Sequence, residues 1–163
     1  MPAGGPLPYG GIVAAGLRRL ADQFNQDIAE HPMAPPSVPR SPIHPHLPQV
    51  AWRVVGDSME LARIYDGDWA VVIPYLEYVD KVGELDNSMF VVVEKSSAGG
   101  GEIELTLKEV QFGRYGMRLI PRSNTKYPEY VIPMDREADP DEETVRIVGV
   151  VMWAGRLLAP GAR

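Results

Sequence analysis

Seven prolines, Pro32, Pro35, Pro36, Pro39, Pro42, Pro45 and Pro48, fall within seventeen consecutive positions. Proline lacks a backbone N–H and biases the residue before it toward extended geometry, so no helix can run through this stretch. It reads as an extended linker with polyproline character over residues 31–48. The chain is thereby divided into an N-terminal segment, 1–30, the linker, a main body over 49–157 and a short tail, 158–163.

The two sides of the linker differ in pattern. On the N-terminal side, residues 1–11 are rich in Gly and Pro and are expected to be loose. Leu17, Leu20, Ala21, Phe24 and Ile28 follow at three-and-four spacing, which predicts an amphipathic helix over 17–30. A single helix cannot bury its own apolar face, so this one must dock on the body or on a partner. On the C-terminal side the apolar runs are short: Val50–Val55, Trp69–Ile73, Met89–Lys95, Glu102–Phe112, Met117–Ile120, Tyr130–Pro133 and Val145–Trp153. Turn signals separate them, among them Asp66-Gly67-Asp68, Ser97 to Gly101 and Gly113 to Gly116. Short strands with regular turns predict a mainly β body, a distorted barrel or sandwich, with one short N-terminal helix. The apolar strand Val145–Trp153 is the expected dimer edge, because free strand edges pair readily.

A length of 163 residues suits one domain, and a body of this size needs no disulfides to fold. There is no cysteine, which removes thiol catalysis and cysteine metal sites. A net charge of −6 argues against direct nucleic-acid binding by the chain itself. No apolar run approaches the ~20 residues needed to span a membrane. The N-terminus has no signal-peptide pattern, so the expected location is the cytoplasm.

Motifs for dinucleotides, nucleoside triphosphates, zinc peptidases and the serine-hydrolase elbow are all missing. His31, His44 and His46 lie in or beside the Pro-rich stretch. They offer neither a metal set nor a rigid seat for a catalytic base, so no metal and no cofactor is expected. What remains is Gly56-Asp57-Ser58-Met59 after an apolar run. It reads either as a plain turn or as a serine nucleophile on a tight turn whose N–H groups can hold an oxyanion. With no usable histidine, the base for such a serine would be a lysine kept neutral by burial. Lys108 is the candidate. Strand alternation cuts against it: Ile103, Leu105 and Leu107 share one face, which puts Lys108 with Glu102, Glu104 and Thr106 on a face expected to meet water.

Four ordered segments resemble the self-cleaving domain of the LexA repressor, which UmuD proteins and many phage repressors share. They are Val55-Gly56-Asp57-Ser58-Met59 with Asp66-Gly67-Asp68, then Leu105-Thr106-Leu107-Lys108. Leu119-Ile120-Pro121-Arg122-Ser123-Asn124 with Tyr127-Pro128 comes next, and Val148-Gly149-Val150-Val151 closes the set. A fifth likeness, Leu7 through Gly16, lies around an Ala15–Gly16 pair like the bond that this family cuts. The resemblance implies Ser58 as nucleophile, Lys108 as general base, Asp57 and Met59 in the nucleophile and oxyanion turn, and cleavage between Ala15 and Gly16. It also implies a homodimer, stimulation by a RecA filament on single-stranded DNA, and a role in a DNA-damage or phage-type repressor. The stretch before Ala15 is too short for a helix-turn-helix domain. An accessory subunit of a translesion polymerase, as UmuD is, therefore stands as the alternative, together with a catalytically silent interaction module. Ser58 and Lys108 are fifty positions apart, longer than is usual in that family, and loops at Tyr75–Asp86 and Ser96–Gly101 are expected to absorb the excess.

Overall fold

Valine runs such as Val91-Val92-Val93 carry no alternation, the mark of strands covered on both sides. The computed structural model, which describes residues 6–17, 19–114, 116–133 and 143–157, bears this out: all three valines are fully buried. Nine strands among the described residues form one mixed sheet: β1 (Tyr9–Val13), β2 (Arg19–Leu20), β3 (Val50–Val54), β4 (Trp69–Pro74), β5 (Phe90–Ser96), β6 (Glu102–Gly113), β7 (Gly116–Ile120), β8 (Tyr130–Pro133) and β9 (Thr144–Gly155). Their order is β1-β3-β4-β9-β5-β6-β7-β8, with β2 added on β6, and every pairing is antiparallel except β1 on β3.

Neighbouring residues of each central strand feed opposite faces. Ile73, Val91, Val93, Val110 and Leu119 pack with Leu47, Tyr78 and Leu85 on one side. Val72, Val92, Leu105 and Leu107 pack with Val13, Met59 and Ile64 on the other. In β9, Gly149 is required by close approach: a Cβ there would lie 2.9 Å from Cγ2 of Val72. No helix among the described residues is long and apolar enough to cross a membrane.

The mainly β reading stands, and β3 to β9 lie close to the expected runs, but several expectations need correcting. Residues 9–11 are not loose; Tyr9–Val13 forms a parallel strand beside β3 with a bulge between Tyr9 and Gly11. The first helix, α1, spans Ala21–Glu30 rather than 17–30. Arg19 and Leu20 are instead claimed by the open flank of β6, pairing with Ile103 and Glu102. The expected loop at Tyr75–Asp86 contains a second helix, α2 (Tyr75–Lys81), anchored by buried Tyr78. It is too short to show a periodic signal. Nor is β9 an edge: residues 149–155 pair with β4 and 144–150 with β5. Among the described residues, 144–148 have no strand partner on the β4 side and 151–155 none on the β5 side, so β9 bridges the two strands and is paired on both flanks at 149–150. Its apolar character comes from an interior position.

The Pro-rich stretch forms no helix. Its spaced apolar residues nevertheless pack: Ala34 and Val38 join Leu7, Ala51, Trp69 and Val71 in a third cluster. Gln49 and Ser41, both buried, close a loop through two hydrogen bonds of 2.7 and 3.1 Å, and Trp153 Nε1 donates to the Pro39 carbonyl.

Candidate active site

Where β3 ends, the chain turns sharply under local control. Val54 is held across the turn by two bonds: its N–H donates to Asp68 O and its carbonyl accepts the Gly67 N–H, both at 2.8 Å. The Asp66 carboxylate accepts the Gly56 N–H, also at 2.8 Å. Short polar side chains of this kind take over backbone donors where a strand stops. Residues 57–62 then coil into a short 3₁₀ turn, Glu60–Ala62. Met59, 1% exposed, drives the turn into the core beside Leu105 and Leu107. Ser58, next to it, is 7% exposed. The backbone N–H groups of Ser58 and Met59 donate to no backbone carbonyl among the described residues.

The segment after β7, residues 121–128, straps this turn down. Arg122 N–H donates to the Ser58 carbonyl at 2.8 Å, and Leu61 N–H donates back to Arg122 O at 2.9 Å. The Asp57 carboxylate accepts the Thr125 hydroxyl at 2.7 Å and the Tyr127 phenol in a short hydrogen bond. These two donors hold the Asp57 carboxyl below its ordinary value, and the same bond pushes the Tyr127 phenol up to about 12.

Lys108 is not on a solvated face. It is fully buried, as is Thr106, and Glu104 is 7% exposed. Alternation placed these residues together with Glu102 correctly, but of the four only Glu102 is exposed: the strap and β8 cover Lys108, and Glu104 meets the Gly16 N–H. The Lys108 ammonium lies 5.9 Å from the Tyr127 ring centre and 5.3 Å from that of Tyr130. It donates to the Pro128 carbonyl at 3.3 Å. Burial brings its pKa down from 10.5 to about 8, with Glu104 pulling the other way. At pH 7 roughly one molecule in ten then carries a neutral amine, against about one in three thousand for a free lysine. Among the described residues no hydrogen bond joins Ser58 to Lys108. They are linked through Tyr127, which touches Asp57 on one side and faces Lys108 on the other.

The Ala15–Gly16 bond sits in a turn between the two strands that carry these residues. On one side Val55 N–H donates to Val13 O at 2.9 Å, three positions before Ser58. On the other, Ala14 N–H donates to Leu105 O at 2.7 Å, three positions before Lys108. Leu17 N–H closes the turn on Ala14 O at 3.2 Å, and Gly16 N–H donates to Glu104 Oε1 at 2.8 Å. Gly16 has φ +81°, a conformation that only glycine adopts without strain, and nothing lies within 4 Å of where a Cβ would be. Its glycine is therefore a requirement of the turn, not of space.

Sequence reasoning missed Glu104 and Tyr130. Gly16 and Glu104 are 88 positions apart, and no spacing rule reaches that far. A buried lysine needs aromatic or carbonyl cover, but which tyrosine supplies it depends on how β8 folds back.

A family model described as Peptidase S24-like matches residues 8–152, from the start of β1 into β9. No curated protein matches the chain.

Proposed function

The chain belongs to the peptidase S24-like family, and from that premise we propose that it is a self-cleaving regulatory domain whose Ser58 cuts Ala15–Gly16 with Lys108 as general base. The observation that carries this reading is the docking of the Ala14–Leu17 turn between β3 and β6, just upstream of Ser58 on one strand and of Lys108 on the other.

The chemistry follows from the groups present. Neutral Lys108 takes the proton of the Ser58 hydroxyl as Oγ bonds to the carbonyl carbon of Ala15. The free N–H groups of Ser58 and Met59 receive the oxyanion. When the C–N bond breaks, the lysine ammonium returns its proton to the Gly16 nitrogen, and water later hydrolyses the Ala15 ester. A tethered bond has a high effective concentration, so a modest nucleophile suffices. Before attack the lysine must exchange the Pro128 carbonyl for Ser58, and that step is a natural point of control. In keeping with the family resemblance, we assign the control to a partner such as a RecA filament and the regulated output to a homodimeric repressor.

A UmuD-like role beside a translesion polymerase uses the same cut. The Lys108–Pro128 bond favours a second reading, in which the fold is kept as a silent interaction module. Intact-mass measurement of the purified chain between pH 7 and 10 separates the two. Self-cleavage predicts new masses split between Ala15 and Gly16 that vanish in Ser58→Ala and Lys108→Ala. An uncut wild-type chain throughout that range refutes it.

A further inference from the structure

A buried carboxylate is expensive unless something specific compensates it. Glu104, 7% exposed, directs its Oε1 at one backbone donor, the N–H of Gly16, at 2.8 Å. Its neighbour across the ladder, Lys95, is engaged elsewhere, with Glu143 at 3.2 Å. That N–H belongs to the nitrogen that departs if Ala15–Gly16 is cut. We propose that Glu104 is a third functional residue of the self-cleavage reaction, holding the leaving nitrogen of Gly16 in the orientation that lets it take a proton and depart.

The inference rests on the proposed cut and deepens it. In the resting peptide the Gly16 nitrogen is planar and its lone pair is spread into the Ala15 carbonyl. Once Ser58 Oγ has bonded to that carbon, the nitrogen becomes pyramidal and its lone pair localises. An N–H committed to Glu104 leaves that lone pair on the opposite side of the nitrogen. As the proton arrives from the Lys108 ammonium and the C–N bond breaks, the nitrogen gains positive character. Its hydrogen bond to the carboxylate, already charge-assisted through the acceptor, then strengthens as the donor also gains charge. An interaction that tightens on the way to the transition state accelerates the step, whereas one of constant strength would only hold the turn. The same contact sets which bond is presented. With Ala14 N–H on Leu105 O and Gly16 N–H on Glu104, the intervening peptide is fixed at both ends.

Glu104 also acts on the base. The groups facing Lys108 are Glu104 on its own strand, Tyr127 and Tyr130 on the covering segment with Asp57 behind Tyr127, and Lys95 of β5 across the Tyr130 ring. Glu104 favours the charged lysine, so removing its charge makes the neutral form available at lower pH. The two effects have opposite signs near neutral pH and separate where the lysine is fully neutral.

The test follows self-cleavage by intact mass from pH 7 to 10 in the full chain and in Ser58→Ala, Glu104→Ala, Glu104→Asp and Glu104→Gln, with thermal unfolding as the check on folding. On the alkaline plateau Glu104→Ala and Glu104→Asp should cut at least about tenfold more slowly, the worth of one charge-assisted hydrogen bond. Glu104→Gln, which keeps an acceptor oxygen at the same reach, should lose less. Its pH midpoint should move below that of the wild type, a change that a purely structural role would not produce. A folded Glu104→Ala chain cutting at the wild-type plateau rate overturns the inference and leaves the proposed function standing. A wild-type chain not cut between Ala15 and Gly16 overturns both.

Discussion

The two faces of β6 are equally dry and chemically opposite. On one, Leu105 and Leu107 join Val13 and Met59, and burial there stabilises the fold. On the other, Glu104, Thr106 and Lys108 are buried, Lys108 under Tyr127, Pro128 and Tyr130 and Glu104 against the Gly16 N–H, and burial there costs free energy. The price is visible in the lysine, whose proton is held less tightly than in water. One strand therefore supplies both the apolar anchor under the Ser58 turn and a lysine of lowered pKa, the base of the proposed reaction, because its alternating side chains go to different environments.

Replacing one residue from each face gives the largest contrast. Leu107→Ala should cost about 2–5 kcal/mol in denaturant unfolding at pH 7. Lys108→Met, its neighbour, should raise stability by up to about 3 kcal/mol at the same pH, since it removes a buried charge whose pKa burial has lowered from 10.5 to about 8. If both substitutions destabilise alike, the polar face is not costly and the comparison fails.

The pH dependence of stability sharpens the same point. Lys108 titrates at about 8 when folded and near 10.5 when unfolded. Its cost is fully present below pH 8 and is relieved as pH rises toward 10.5, where the unfolded chain keeps a proton that the folded chain has released. Its contribution should therefore increase with pH across that window in the wild type and be missing from Lys108→Met. The cleavage rate should climb about tenfold per pH unit below pH 8 and level off above it.

Tyr127→Phe tests the cover. It removes the phenol from Asp57 while keeping the ring over Lys108. The Asp57 carboxyl should return toward its ordinary value in an NMR titration, and cleavage should slow by about tenfold as the nucleophile turn loosens. An unchanged rate would mean that the strap holds the turn through backbone bonds alone.

The smallest effect is expected at Thr106→Val. Among the described residues its hydroxyl bonds only to the adjacent Leu107 carbonyl at 3.3 Å, so stability should change by less than about 1 kcal/mol. A larger loss would show that the polar face is a connected network and not a set of separate groups.

Much of this was legible in the sequence where the cause is local. Apolar runs marked β3 to β9, and Gly56-Asp57-Ser58-Met59 with Asp66-Gly67-Asp68 marked a turn whose strand-end bonds, unlike those to the strap, close within about a dozen residues. β1 stayed hidden because Tyr-Gly-Gly-Ile-Val has the composition of a loop and becomes a strand only beside β3. Leu17 and Leu20 carried a helical spacing that was overridden, Leu17 by the turn onto Ala14 and Leu20 by the open flank of β6. β9 looked like a sticky edge because apolar composition does not distinguish an edge from a centre.

The sequence alone thus determined a mainly β body, a Pro-rich stretch that is no helix, and the serine and lysine that the proposed reaction uses. Only the tertiary structure decided that Lys108 is dry, that Tyr127 ties its cover to the nucleophile turn, and that Glu104 meets Gly16. Periodicity reports which side chains share a face. Whether that face meets water depends on segments far away in the chain, and desolvation by those segments is what lowers the pKa of an otherwise ordinary lysine.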